Sequence, residues 1–575
     1  MAVDFNIMVG GEAGQGVQSM GTVLAKTLTR GGFNTFADQD YESRVRGGHN
    51  FFRIRVSDND VQAISKNLDI LIALNKETVE IHNQELKPEG VIISDEGDSK
   101  SEAKGDKFFH IPLRELAEDT AKNKLLTNTI AVGAVIGLVG YDFHWLSAVL
   151  KEEFARHGEK IVSDNIAAAQ AGFDFGRKKR RWKLGEIIRP ESGDRRKILI
   201  NGNEALALGA MVGGCKFISG YPMTPASSIL EYMADKTREY GVVAVHVEDE
   251  IAAMNMAVGA AYTGVRAMVA TSGGGFCLMV EGLALAGITE TPVVAVLAQR
   301  PGPATGLPTR TEQGELWFAL HAGHGEFPRA VFAPANAEEA FHCIIEAFNL
   351  AEKYQTPVIV LTDHHLATSY ATVDRFNLKQ VKIDRGRLLS DKETNSMSDY
   401  KRHLITEPGI SPRAFPGQGK ALVVTDSDEH DEAGHMIEDA ETRNQQQLKR
   451  LRKNNGLKGD TVNPKFHEES GAELTLIGWG STYGAIKEAA DLLKKEGTPV
   501  NTLNFSQIWP FPTEFVSSIL RNTGRSVAIE GNATAQLAGL IKRETGYEMG
   551  DTILKFDGRP FSPEEIVGCL QKEVL

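Results

Sequence analysis

Residues 242–261 read VVAVHVEDEIAAMNMAVGAA, and residues 266–276 read RAMVATSGGGF. The first stretch opens with a short apolar run, Val242–Val247. Three acids follow, Glu248, Asp249 and Glu250, and then a longer run of small and apolar residues. The second is another short apolar run that ends in Gly273, Gly274 and Gly275. Apolar runs of about four to eight residues bounded by turn signals are buried strands, and the longer run is helical. The order is therefore strand, helix, strand, which is the unit of a mostly parallel sheet with helices on its faces. Outward from it, Phe217–Ser219, Val293–Ala298 and Val358–Thr362 are further strands of a domain covering 198–370.

Two more domains of the same class flank this one. At the N-terminus a strand, Phe5–Val9, runs into the glycine-rich turn Gly10–Gly16. A helix follows with Val17, Met20, Leu24 and Leu28 on one face. Ile70–Leu74 and Val91–Ser94 are buried strands, and about 128–139 is a helix of a domain at 1–176. Residues 177–197 carry ten basic against three acidic residues and read as a solvated linker, or as a strip for an acidic partner. Residues 371–470 are polar and irregular, with eight acids and no Lys or Arg between Asp426 and Glu441. They read as a connector, part ordered arm and part lid. A last domain at 471–575 opens with the strand Leu474–Trp479 and later has Ser526–Glu530. The fold class is α/β, three domains in series.

The 575 residues carry 63 Lys and Arg against 76 Asp and Glu, a net charge of −13. That balance argues against a nucleic-acid binder and a membrane-surface protein, both of which need positive charge. The longest apolar run, Ile130–Gly140, is short of the roughly 18 residues of a membrane helix. Residues 1–16 hold Asp4 and Glu12 and no Lys or Arg, unlike the basic start of a signal peptide. A cytoplasmic location is expected. Cys215, Cys277, Cys343 and Cys569 are isolated, which argues for a reducing compartment and against a cysteine-ligated metal site in this chain.

Several stretches carry chemistry, each with a plain alternative. A glycine-rich strand-to-helix turn exposes N–H groups to a phosphate, so Gly10, Gly11, Gly14, Gln15 and Gly16 are candidates; a tight packing turn is the alternative. Arg44 and Arg46 can bind an anion or form an interface ion pair. Tyr221-Pro222-Met223-Thr224-Pro225 follows a strand, and its two prolines hold the Thr224 hydroxyl at a rigid turn. The acids 248–250 can be a solvated strand end. Alternatively, one of them starts a tightly packed helix with Gly259 nine positions on, partly buried against a surface that takes a flat ring. A buried carboxyl can pass protons to a ring nitrogen. Gly273 and Gly274 lie at the carboxyl end of a strand, as does the loop 299–314, where Arg310 can clamp a carboxylate. Arg300 is a lesser candidate. His430 and His435 are five apart rather than four and do not make a metalloprotease pair. His364 and His365 read as packing. The Thr271–Gly275 run lacks the order of a nucleophile elbow.

Taken together, these motifs resemble the α subunits of 2-oxoacid:ferredoxin oxidoreductases with a γ domain fused in front, the 2-oxoglutarate synthase branch being the nearest likeness. The resemblance covers nearly the whole chain. It rests on Gly10–Gly16 with 44–48, Tyr221–Pro225, Glu248–Ala253, Pro308–Gln313 and Glu530–Asn532. It implies a γ-type domain, a pyrimidine-type thiamine domain and a transketolase C-terminal-type domain. It further implies thiamine diphosphate chemistry, in which an acid bonded to N1′ of the aminopyrimidine promotes deprotonation of the thiazolium carbon. Glu250 is the best match for that acid and Glu248 the reserve, with Gly259, Gly273 and Gly274 beside the cofactor. Thr224, with Tyr221 and Pro222, would contact the substrate, and Arg310 would pair with a substrate carboxylate. Gly10–Gly16 would help hold coenzyme A phosphates.

No Gly-Asp-Gly triplet occurs; the Gly-Asp pairs at 97–98, 105–106, 193–194, 459–460 and 550–551 each continue with another residue. By the resemblance, magnesium, the diphosphate half-site and a 4Fe–4S cluster then belong to a β subunit, in an (αβ)2 assembly that passes electrons to ferredoxin. The expected reaction is oxidative decarboxylation of 2-oxoglutarate to succinyl-CoA and CO2, reversible as reductive carboxylation. Pyruvate or a branched-chain 2-oxoacid is the alternative substrate, and a non-oxidative thiamine-dependent decarboxylase the alternative class.

Overall fold

Short apolar runs form the centres of three sheets, because a strand covered on both faces needs side chains that leave water in both directions. The computed structural model describes residues 3–43, 47–95, 107–121, 126–179, 181 and 197–574. The chain divides into two compact units: one is Met1–Ile200 with Ser369–Phe376 and Ser562–Glu565, and the other is the remainder.

In the first unit an eight-stranded sheet runs in the order Phe108–Ile111, Leu86–Asp95, Leu68–Ala73, Asp4–Ala13, Gly47–Ser57, Asn34–Asp40, Tyr370–Val373, Ile198–Asn201. Asp4–Ala13 pairs parallel with Leu68–Ala73 and antiparallel with Gly47–Ser57. The first strand is longer than its apolar run predicts. Gly10 and Gly11 are paired residues opposite Phe51 and Asn50, so the turn is confined to Gly14–Gly16. Val17, Met20, Leu24 and Leu28 are buried as their spacing predicts. The long apolar run lies in the helix Thr127–Leu138, which packs backbone to backbone on Glu159–Arg177. A Cβ on Gly133 would stand 2.0 Å from the Ala169 carbonyl, and one on Gly172 2.0 Å from that of Ile130. Among the described residues no helix is long and apolar enough to cross a membrane.

The second unit holds two sheets. A seven-stranded sheet runs Gln507–Trp509, Ala330–Phe332, Pro357–Asp363, Val293–Gln299, Arg266–Thr271, Cys215–Gly220, Val243–His246, all parallel except the first pair. A five-stranded sheet runs Lys465–His467, Asn501–Phe505, Leu474–Trp479, Arg525–Glu530, Asp551–Leu554. One continuous apolar core joins them, from Val269 and Leu297 to Trp479 and Phe505.

The connector differs from its sequence reading. It contains a 20-residue helix, Ala440–Gly459, whose buried face is Gln446, Lys449, Arg450, Lys453 and Leu457. Lys449 and Lys453 both pair with Glu290, which is wholly buried and also bonded by His403 Nδ1 at 3.0 Å. Hydrophobic periodicity does not register a helix whose inward face is charged. His430 is also buried, its ring 3.9 Å from that of His403. Of the basic stretch 177–197, residues 180 and 182–196 lie outside the described residues.

Candidate active site

The strand order of the seven-stranded sheet reverses beside Cys215–Gly220. The chain goes from this strand to Val243–His246 on one side and returns to Arg266–Thr271 on the other. In open α/β sheets such a switch point opens a crevice at the carboxyl ends of the strands. Tyr221–Pro225, Glu248–Glu250, Ser272–Gly275 and the loop 300–315 all leave strands at that edge.

Asp249 caps the helix Glu250–Tyr262, its carboxylate accepting the Ala252 N–H at 2.7 Å. The cap sets the first helical residue, Glu250, facing inward. Glu250 is 4% exposed, and its Oε1 has no hydrogen-bond partner among the described residues. Glu248 is exposed. A buried carboxylate oxygen without a partner is costly, and native folds keep few of them. Space for this one comes from Gly275, where a Cβ would stand 2.6 Å from Glu250 Oε1 and 2.2 Å from Thr271 Oγ1. Gly275 is the glycine that the sequence reading missed. Gly259 does not share this site: nine residues of helix rotate about two and a half turns, and its Cα faces open space. The third glycine of the Gly273–Gly275 run was the available signal.

The other loops close around the same turn. Thr224 is half-buried; its carbonyl accepts a 2.7 Å bond from Arg300, and Asn203 Nδ2 holds the Pro225 carbonyl at 2.8 Å. Arg300 is thus a brace of the Thr224 turn. Tyr221 is 41% exposed beside His246, and Pro222 is exposed. Gly273 leaves room for the Glu315 carboxyl, since a Cβ there would overlap Glu315 Oε1; Gly274 has only the Ala304 carbonyl near, at 3.8 Å. Burial pushes the Glu315 carboxyl up to about 8, against the opposing pull of Arg300. Arg310 is half-buried against Gly558; burial, with smaller contributions from His365 and Arg310, holds His364 down at about 3. His364 is therefore buried and neutral at pH 7. Gln313 ties the loop to the five-stranded sheet: its Nε2 donates to the Trp479 carbonyl at 2.8 Å, and its Oε1 accepts the Gly531 N–H at 2.9 Å. Glu530 is wholly buried and capped by the N–H groups of Leu537 and Ala538, a structural use of the 530–532 motif.

In the first unit the glycine turn divides by position. A Cβ on Gly10 would strike Thr78 at 2.5 Å, on Gly11 Gln15 Oε1 at 2.5 Å, and on Gly16 Asn128 at 2.4 Å, so packing accounts for all three. Gln15 Oε1 already accepts the Glu12 N–H at 2.7 Å. Gly14, at φ +90°, has nothing within 4 Å. Arg44 and Arg46 lie outside the described residues.

Comparison with known proteins bears on all three sheets. Residues 208–449 match the family model for the thiamine diphosphate-binding part of pyruvate flavodoxin/ferredoxin oxidoreductase. Residues 6–175 match the model for pyruvate ferredoxin/flavodoxin oxidoreductase, and residues 472–566 that for core domain II of pyruvate:ferredoxin oxidoreductase. The 2-oxoacid:ferredoxin oxidoreductase subunit alpha of a Sulfolobus species is 33% identical, over 99% of this chain and 96% of that one. The 2-oxoglutarate oxidoreductase subunit KorA of Mycobacterium tuberculosis is 30% identical, over 97% of this chain and 90% of that one. The structure of 2-oxoglutarate:ferredoxin oxidoreductase from Magnetococcus marinus, with 2-oxoglutarate, coenzyme A and succinyl-CoA bound, superposes with a TM-score of 0.91 at 31% identity, covering 100% of both chains.

Proposed function

Because the chain belongs to the thiamine-dependent 2-oxoacid:ferredoxin oxidoreductases, as an α subunit, we propose that it serves the coenzyme A-dependent oxidative decarboxylation of 2-oxoglutarate to succinyl-CoA and CO2, and the reverse carboxylation. The likeness to the Mycobacterium and Magnetococcus proteins supports 2-oxoglutarate as the substrate.

The observation that carries the reading is Glu250: a carboxylate at a strand switch point, buried, with one oxygen free of any partner. That donor set fits an aminopyrimidine, whose ring nitrogen would complete the hydrogen bonding of Oε1. When bound, thiamine diphosphate supplies the electron sink for loss of CO2. Glu250 would hold the ring and share a proton with its nitrogen, with Gly275 and Gly274 leaving room beside it. The Thr224 hydroxyl would donate to the 2-oxo or carboxylate oxygen of the substrate, with its turn held by Arg300. Arg310 would pair with a substrate carboxylate, with Tyr221 and Pro222 at the entrance.

Magnesium, the diphosphate half-site and a 4Fe–4S cluster are assigned to a β subunit, and ferredoxin to the role of electron acceptor. The coenzyme A phosphate reading is kept for the Gly14 turn alone. Co-expression with a β subunit, and assay with 2-oxoglutarate, pyruvate and a branched-chain 2-oxoacid in the presence of coenzyme A, tests the proposal. Turnover led by 2-oxoglutarate is expected. Turnover led by pyruvate would overturn the substrate assignment, and turnover by this chain alone would overturn the division of labour.

A further inference from the structure

Four buried polar atoms around the Thr271–Gly275 turn have no hydrogen-bond partner among the described residues: Glu250 Oε1, Ser272 Oγ, Arg300 Nε and Glu315 Oε2. A ring nitrogen answers the first. The last belongs to a second carboxyl, seated on Gly273, two residues from the glycine that makes room for Glu250.

Ordinary structural uses of Glu315 are excluded one by one. It precedes the short helix Leu316–His321 without a side-chain cap bond. It makes no ion pair with Arg300, which donates to the Thr224 carbonyl instead. Its backbone, by contrast, is fixed, because the N–H donates to Gln299 Oε1 at 2.9 Å. The main chain is therefore held while the carboxyl is left for something that the chain does not supply.

We propose that Glu315 donates a hydrogen bond from its carboxyl to an oxygen of the bound 2-oxoacid, as a second acid of the site beside Glu250. The inference rests on the function proposed above, and deepens it. The groups facing Glu315 are Arg300 from the end of Val293–Gln299, Glu312 from its own loop, and Cys277 from the helix Gly273–Ile288. Burial outweighs Arg300, and Glu312 adds to burial, so the carboxyl is the neutral acid at pH 7 and ionises near pH 8. A neutral acid can donate to an anionic oxygen, whereas an ionised one repels it. The oxygen concerned is common to all 2-oxoacids, so the inference does not depend on which one is preferred.

The test uses the α subunit assembled with its β subunit. In the infrared difference between wild type and Glu315→Gln, without substrate, a protonated-carboxyl band is expected at pH 7 that fades above pH 8. In turnover of the preferred 2-oxoacid, wild-type kcat/KM is expected to fall above pH 8. Glu315→Gln, which keeps a neutral donor, should lose that alkaline limb. Glu315→Ala should lose about tenfold to a hundredfold at pH 7, the range of a hydrogen bond to a charged group. Absence of the band, or an alkaline limb that persists in Glu315→Gln, would overturn the inference. The band is read without substrate, so its loss is distinct from failure of the wild type to turn over any 2-oxoacid, which would sink the proposed function instead.

Discussion

Glu250 and Glu290 are both buried carboxylates of the same compact unit, and their surroundings are opposite. Glu290, wholly buried, faces Lys449, Lys453 and His403, while Arg402 donates to its backbone carbonyl. Glu352 is similar, buried among Arg266, Arg385 and Arg413. Glu290 Oε2 lacks a hydrogen bond but is ion-paired with Lys453, whereas Glu250 has neither an ion pair nor, at Oε1, a hydrogen bond among the described residues. Burying an ion is tolerable when it is paired and hydrogen-bonded, and costly when it is not. Ion-paired acids here join segments of the fold: Glu290 fastens the helix Ala440–Gly459, and Glu352 fastens the strand that begins at Arg266. Two acids without an ion pair among the described residues, Glu250 and Glu315, lie at the strand switch point, where a ligand can finish what those residues leave open.

The comparison is easiest to break by substitution. Glu290→Gln leaves two buried ammonium groups without a counter-charge, and a loss of about 3–5 kcal/mol is expected in denaturant unfolding. A loss below about 1 kcal/mol would mean that the cluster is not structural. Gly275→Ala should cost about 1–3 kcal/mol through overpacking against Thr271 and Glu250, and should also lower turnover because Glu250 must move. Unchanged kinetics in that variant would separate Glu250 from the chemistry.

The pH dependence is a smaller, sharper test. Lys449 and Lys453 hold the Glu290 carboxyl well below its usual 4.5. A depressed folded-state pKa contributes stability that is present above the unfolded value and lost as pH falls through the folded one. The stability gap between wild type and Glu290→Gln should therefore not narrow between pH 7 and about 5, where protonation of Lys449 can only widen it, and should narrow in more acidic solution. Narrowing already at pH 6 would contradict the pairing. The smallest effect is expected of Ser272→Ala, within about 0.5 kcal/mol in the same unfolding assay, because no described residue bonds to the Ser272 hydroxyl. A large loss would show a partner that the geometry lacks.

The sheets were legible because their strands are apolar runs ended by glycine or acids, as at Val243–His246 and Arg266–Thr271. The burial of Glu250 was legible from its place between a strand and a small-residue helix. Its supposed companion Gly259 was not, because spacing along a chain does not fix which side of a helix a residue occupies. Gly275 emerged only when the third glycine of a run was seen to abut a side chain from another segment. The helix Ala440–Gly459 was hidden for a related reason: Lys449 and Lys453 read as solvent-facing until Glu290, distant in sequence, is brought against them. Glu315 was passed over because an acid at a loop end looks solvated, and the burial of its Oε2 is a property of the assembled crevice.

The claim on which the rest depends is that Glu250 is kept unpaired for function. Glu250→Gln in the assembled αβ enzyme tests it with two readings on one sample, 2-oxoacid turnover and unfolding free energy. Turnover is expected to fall about a hundredfold to ten-thousandfold, as for loss of a proton-transfer group, while stability is unchanged or raised. Retained turnover, or a stability loss of several kcal/mol like that expected of Glu290→Gln, would contradict it.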